Sequence, residues 1–231
     1  MDSTIARPLS KDGSIHVTDE FYNTLFASVG AVLSTVGVFI LISLSLSAHK
    51  IWHILSFSIY GAALLNLFVC SSLHHGVNGS EKTEHRLRQL DYFAIFLMIA
   101  GTFTPFCMIV LRTPLGLSVL GLVWLLAIVG ILLKALNPTI SKWVLASFFL
   151  GMGWLGAVIA WPLYQHISGG TGLLLMMGGV FYTLGAVIYY RESPNPIPGK
   201  FGFHEIWHLF VLAGASCHFL LMYYYLLPFQ A

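Results

Sequence analysis

The chain has 231 residues, of which 57% are hydrophobic and only 9% charged, and its mean hydropathy is +0.82. A soluble domain carries roughly a quarter charged residues, so the composition excludes a soluble enzyme or binding module and calls for an integral membrane protein. The net charge of +2 comes without a basic run, which leaves no basis for nucleic-acid binding.

The first 22 residues, MDSTIARPLSKDGSIHVTDEFY, are polar and hold four acids. A cleavable signal peptide needs an apolar middle, so residues 1–23 read as an N-terminal segment outside the membrane. Residues 24–231 then form a single transmembrane domain. Seven apolar stretches follow, at about 24–47, 52–73, 91–111, 114–134, 140–163, 171–190 and 204–228, each near the ~20 residues that a span requires. Lipid offers the backbone no hydrogen-bond partner, so spans of this length are helices. The predicted fold class is all-α, a seven-helix transmembrane bundle. The longest connections, HHGVNGSEKTEHRLRQL and RESPNPIPGK, are polar and punctuated by Gly or Pro. Cys70, Cys107 and Cys217 lie far apart in apolar stretches, which predicts reduced, buried thiols and no disulfide framework. Gly61, Gly101, Gly151, Gly153 and Gly156 are expected to permit close helix packing.

Lys and Arg set the orientation of such a bundle. One side holds Arg7, Lys11, Lys82, Arg86, Arg88, Lys134, Lys142, Arg191 and Lys200; the other holds only Lys50 and Arg112. The bias predicts a cytoplasmic N-terminus and an external C-terminus. Ionisable residues within spans are functional candidates, and this orientation gathers them at one depth. The second span ends in CSSLHHG, bringing Ser71, His74 and His75; the third begins with LDYFAIF, bringing Asp91. The seventh begins with HEIWH, bringing His204, Glu205 and His208, and Glu20 and Asn23 open the first.

His204 and His208 are four apart and share a helix face, a spacing known for metal binding. Zinc prefers tetrahedral nitrogen and sulfur ligation, with three protein ligands and a water in catalytic sites. His75, His204 and His208 make the three, and Asp91 is placed to hold the water or orient a ligand. Glu205 lies about 100° round the helix from His204. It is expected to face the interface, or Lys200 and Arg191, rather than to act as general base. His74, near a helix end, reads as an amphipathic residue at the water boundary, and His218, deep in the seventh span, has the same bland reading. The chain repeats the spacing as HKIWH at 49–53, where no acid converges, so His49 and His53 read as interfacial residues.

SSLHHG, LDYFAIFLMIAGTFTPF and HEIWHLFVLAGASCHF together resemble the three core motifs of the hemolysin III branch of the progestin and adipoQ receptor (PAQR) family, bacterial type. The resemblance covers nearly the whole chain. It implies a zinc ion near the cytoplasmic face, held by His75, His204 and His208, with Asp91 contacting the zinc-bound water and Ser71 beside it. It also implies a bacterial inner membrane location. Adiponectin receptors of this family are linked to ceramide hydrolysis, alkaline ceramidases share the fold, and bacterial members are tied to membrane homeostasis. The family's first motif is Glu-x-x-Asn-x-x-x-His; here EFYNTLFAS keeps Glu20 and Asn23 but has Ala27 at the histidine position.

Three functions follow as expectations. The first is a zinc-dependent hydrolase of lipid amide bonds, with Asp91 and Ser71 as catalytic groups and a ceramide or free fatty acid as membrane-lipid partner. The second is a lipid or membrane-state sensor or receptor with a structural zinc. The third is a cytolytic or ion- or proton-conducting protein, disfavoured by spans without a polar stripe.

Overall fold

The computed structural model of the chain describes residues 9–167 and 169–230; Arg7 of the charge count lies outside them. Seven helices are long and apolar enough to cross a membrane. They are α1 (Phe21–Ser47), α2 (Ile51–Gly76), α3 (Glu81–Pro105), α4 (Pro114–Leu136), the pair α5 (Lys142–Trp154) and α6 (Gly156–His166) acting as one span, α7 (Thr171–Arg191) and α8 (Phe203–Leu221). Wide π-helical turns at Phe106–Val110 and Met222–Leu226 prolong α3 and α8. The protein is therefore an all-helical integral membrane protein with seven spans.

The spans match the apolar stretches of the sequence, with one extension. Residues 81–90, expected in a polar connection, form the first turns of α3. Ser80 caps them by accepting a hydrogen bond from the Thr83 N–H, and Glu81 and Glu84 occupy the first turn, where carboxylates favour the helix dipole. Thr113 caps α4 in the same way, accepting from the Gly116 N–H at 3.2 Å, with Pro114 just inside the helix. Pro fits that first turn because its missing N–H has no helical partner there. The fifth span breaks at Leu155, between Gly153 and Gly156.

α1 packs against α2 and α8, α2 against α3, α3 against α4, and α7 against α8. Aromatic and aliphatic side chains such as Tyr60, Phe57, Phe96 and Phe106 fill the interior. Large apolar residues also cover the outside, where Phe39 is 71% exposed. That surface suits lipid rather than water.

Two of the five glycines singled out above let helices touch. A Cβ on Gly61 would stand 2.4 Å from Val38 Cγ1, and one on Gly101 would stand 2.6 Å from Ala63 Cβ. Gly151 and Gly153 have open space instead, and Gly156 meets only Phe103 at 3.8 Å. Their small size leaves room rather than closing a contact. Gly101→Leu should lower the thermal midpoint in detergent by the equivalent of about 1–3 kcal/mol, as overpacking does, while Gly151→Leu should leave it unchanged; a melting series on both variants checks this.

Candidate metal centre

The last turn of α2 carries Ser71, His74 and His75, and α8 opens with His204, Glu205 and His208. α8 starts there because the Glu205 carboxylate accepts a hydrogen bond from the Gly202 N–H at 2.7 Å, satisfying an otherwise orphaned donor. Its other oxygen accepts from Thr18 Oγ1 at 2.6 Å and Asn23 Nδ2 at 3.0 Å. Glu205 is fully buried, so it caps its own helix and anchors the chain before α1. This corrects the expectation that it faces the interface, or Lys200 and Arg191.

His75, His204 and His208 offer ring nitrogens that all lie within 4.8 Å of one another. The three rings stand at centroid separations of 4.9 Å in each pairing. His75 Nδ1 pairs with Glu20 Oε2 at 2.8 Å, and His204 Nδ1 with Asp12 Oδ2 at 3.1 Å. In a neutral imidazole, a nitrogen that donates to a carboxylate leaves the other ring nitrogen with a free lone pair. Both Nε2 atoms are thereby prepared as ligands, in the manner of carboxylate-supported metal histidines. His75 Nε2 and His208 Nε2 face each other at 3.2 Å. Nitrogens sharing one tetrahedral ion at about 2.0–2.1 Å each stand about 3.3 Å apart, so the donor set could hold a metal ion.

Asn23 Nδ2 donates to Glu20 Oε2 at 2.7 Å as well as to Glu205, joining both carboxylates. Ala27, one turn on, is fully buried; the polar contacts of this region are made by Glu20 and Asn23. Asp91 forms a second group with His74 and His75, again with ligand atoms within 4.8 Å.

Several contacts had no signal in the sequence. Asp12 lies in a polar segment without periodicity, yet its carboxylate is almost buried beneath His204. Burial pushes that carboxyl up, but the His204 imidazole, the Ser10 hydroxyl and Lys142 outweigh it and hold it well below the usual carboxylate range. Lys11 donates to the carbonyls of His74, His75 and Val77 at 3.2, 2.8 and 2.8 Å, capping α2. His74 is buried rather than interfacial. At the opposite end of the bundle, HKIWH has a plain role. Lys50 donates to the Leu227 and Phe229 carbonyls and His53 Nε2 to the Leu226 carbonyl, so His53 is a buried cap on the last span, not a boundary residue. Cys107 and Cys217 are buried and Cys70 partly exposed, all as free thiols.

A cavity of about 220 Å³ runs from this cluster into the bundle. Ser71, His74, Asp91, His204 and His208 line one end; Phe106, Ile159, Leu175 and His218 line the other. Gly153 and Gly156 line it too, which is where the space they leave goes. Trp154 and Met176 form its side wall and are 50% and 48% exposed.

Fold and site define a class: a seven-span helical membrane protein with a buried histidine cluster able to hold a metal ion. The chain belongs to the haemolysin-III related family, which matches residues 15–219. It is 37% identical to Hemolysin-3 of Bacillus cereus over 92% of this chain and 94% of that one. It is 35% identical to a Hemolysin-3 homolog of Bacillus subtilis, over 90% and 95%. It is also 29% identical to the human Monocyte to macrophage differentiation factor, over 76% and 72%.

Removing the supporting carboxylates should weaken the metal without abolishing it. Asp12→Asn and Glu20→Gln are each expected to lower metal affinity about 10–100-fold, measured by competition with a chromophoric chelator; unchanged affinity in both would contradict the tautomer assignment.

Proposed function

We propose that the protein is a zinc-dependent hydrolase of lipid amide bonds, ceramide-like in class, held in a bacterial inner membrane with its N-terminus cytoplasmic. The observation that carries this reading is the continuity of the histidine cluster with an apolar cavity. A catalytic metal site keeps an open position, whereas a structural one is closed by a fourth protein ligand. Asp91 stands outside the group formed by His75, His204 and His208 and lines the cavity with His204 and His208, a placement that suits a group serving a water rather than one that seals the metal. This favours the enzyme over a sensor with a structural zinc.

His75, His204 and His208 would hold the ion. Zinc bound there lowers the pKa of water to about 7 and polarises a carbonyl. The chain's own groups supply the rest. Glu20 and Asp12 fix the ring orientations. Asp91 accepts the proton of the attacking water and returns it to the leaving amine, general acid–base work worth roughly 10²–10⁴-fold. Ser71 Oγ, buried at the cavity mouth, donates a hydrogen bond to the substrate oxygen. The cavity takes the acyl chain and excludes bulk water, and its thin wall at Trp154 and Met176 is the route from lipid. Residues 1–23 form the cytoplasmic segment and residues 24–231 the transmembrane domain.

Purified protein given a ceramide should release fatty acid, lose that activity with a chelator and regain it with zinc. His208→Ala should be inactive. Asp91→Asn should retain bound zinc but lose about 10²–10⁴-fold in rate. Equal release from wild type and His208→Ala would sink the proposal. The orientation is checked by impermeant thiol labelling of intact cells, which should reach a cysteine placed at Ala48 and not one at Pro196.

A further inference from the structure

His218 sits ten residues beyond His208 on α8, about 15 Å deeper into the bundle at 1.5 Å per residue. It is 8% exposed and lines the deep end of the cavity. Among the described residues neither of its ring nitrogens makes a hydrogen bond; the Leu175 carbonyl lies nearby without meeting hydrogen-bond geometry. The Tyr182 hydroxyl also lines the cavity and is likewise buried without a partner. Buried polar groups are normally satisfied, and each exception calls for an explanation such as a ligand.

The two side chains are held by a reciprocal device. A Cβ on Gly178 of α7 would stand 2.2 Å from His218 Nε2, and a Cβ on Gly214 of α8 would stand 2.9 Å from the Tyr182 ring. Each helix thus supplies the glycine on which the other's polar aromatic rests. The rings lie 5.7 Å apart between centroids, with Phe106 edge-on to His218 at 6.4 Å. Two buried polar side chains without hydrogen-bond partners are therefore held side by side at the deep end of the cavity.

We propose that His218 and Tyr182 form a second polar subsite that recognises a hydroxyl carried far along the acyl chain of the bound lipid. This rests on the reading of the cavity as an acyl-chain site. The partner is neutral, because a charged group among these apolar walls would go uncompensated. A hydroxyl both donates and accepts, so it satisfies an imidazole nitrogen and a phenol together. The subsite makes the protein selective for hydroxylated over plain chains.

The test is competition binding in detergent, with tritiated stearic acid displaced by stearic acid or by a hydroxystearic acid whose hydroxyl stands two-thirds along the chain. Wild type should prefer the hydroxylated chain about five- to tenfold, the scale of a net buried hydrogen bond. Tyr182→Phe, which removes one oxygen and keeps the packing on Gly214, should reduce the preference, and His218→Phe should abolish it. Both should retain metal and stearic acid affinity. Equal displacement in wild type overturns the subsite, as does a preference that survives in both variants. If tritiated stearic acid does not bind wild type, the acyl-chain cavity falls and the subsite with it. No arm reads hydrolysis, so failure of the amidase reaction is scored separately.

Discussion

The structure turns on two carboxylate–imidazole pairs, Glu20 with His75 and Asp12 with His204, each with one buried member. A buried carboxylate without a partner costs several kcal/mol, and breaking such a pair from one side is more harmful than never having built it. Both carboxylates come from the chain before α1, and both imidazoles from the ends of α2 and α8. The polar N-terminal segment is thereby bound to the bundle by the same contacts that prepare the histidines. Lys11, one residue before Asp12, reinforces it by capping α2 through three carbonyls, and Arg88 of α3 closes onto the Lys11 carbonyl at 3.2 Å. Segment, histidine cluster and the adjoining helix ends share one connected set of polar contacts, set against a remainder held by apolar packing.

This division explains what the sequence made legible. Spans are defined by a one-dimensional property, apolar length, so all seven could be read from composition. The triad was legible because helical periodicity aligns His204 with His208, and alternation of the spans brings the ends of α2 and α8 to the same level. Asp12 and Lys11 were not legible, since an irregular segment has no period from which to project a contact. The angle of Glu205 to His204 turns it away from the cluster, but its partners follow from its position in the first turn. At that position the backbone N–H groups of the helix start compete for the carboxylate and win. His53 lacks a converging acid and so reads as an interfacial residue, but the Leu226 carbonyl at the end of the last span is its acceptor and the residue is buried there.

The cavity has a similar origin in local sequence. The fifth span is interrupted at Leu155 between glycines that touch almost nothing, while Gly61 and Gly101 bring α1, α2 and α3 together closely. The space that remains lies beside the fifth span. The opening runs along α7 and α8, whose reciprocal glycines turn His218 and Tyr182 inward. Glycine spacing alone could not separate these cases, because the same residue closes a contact when a partner is opposite and leaves a void when none is.

The five letters HEIWH show how location decides chemistry. On a helix interior the glutamate between two ligating histidines is free to face the metal. Here Gly202, Thr18 and Asn23 claim both of its oxygens, so the proposed proton acceptor comes from another helix, at Asp91 of α3. Ligands and acceptor then sit on α2, α8 and α3, with no covalent spacing to fix their separation. The packing of those helices fixes it instead. Gly101, which seats α3 against Ala63 of α2, is for that reason a determinant of site geometry as well as of stability, although it lies ten residues from Asp91.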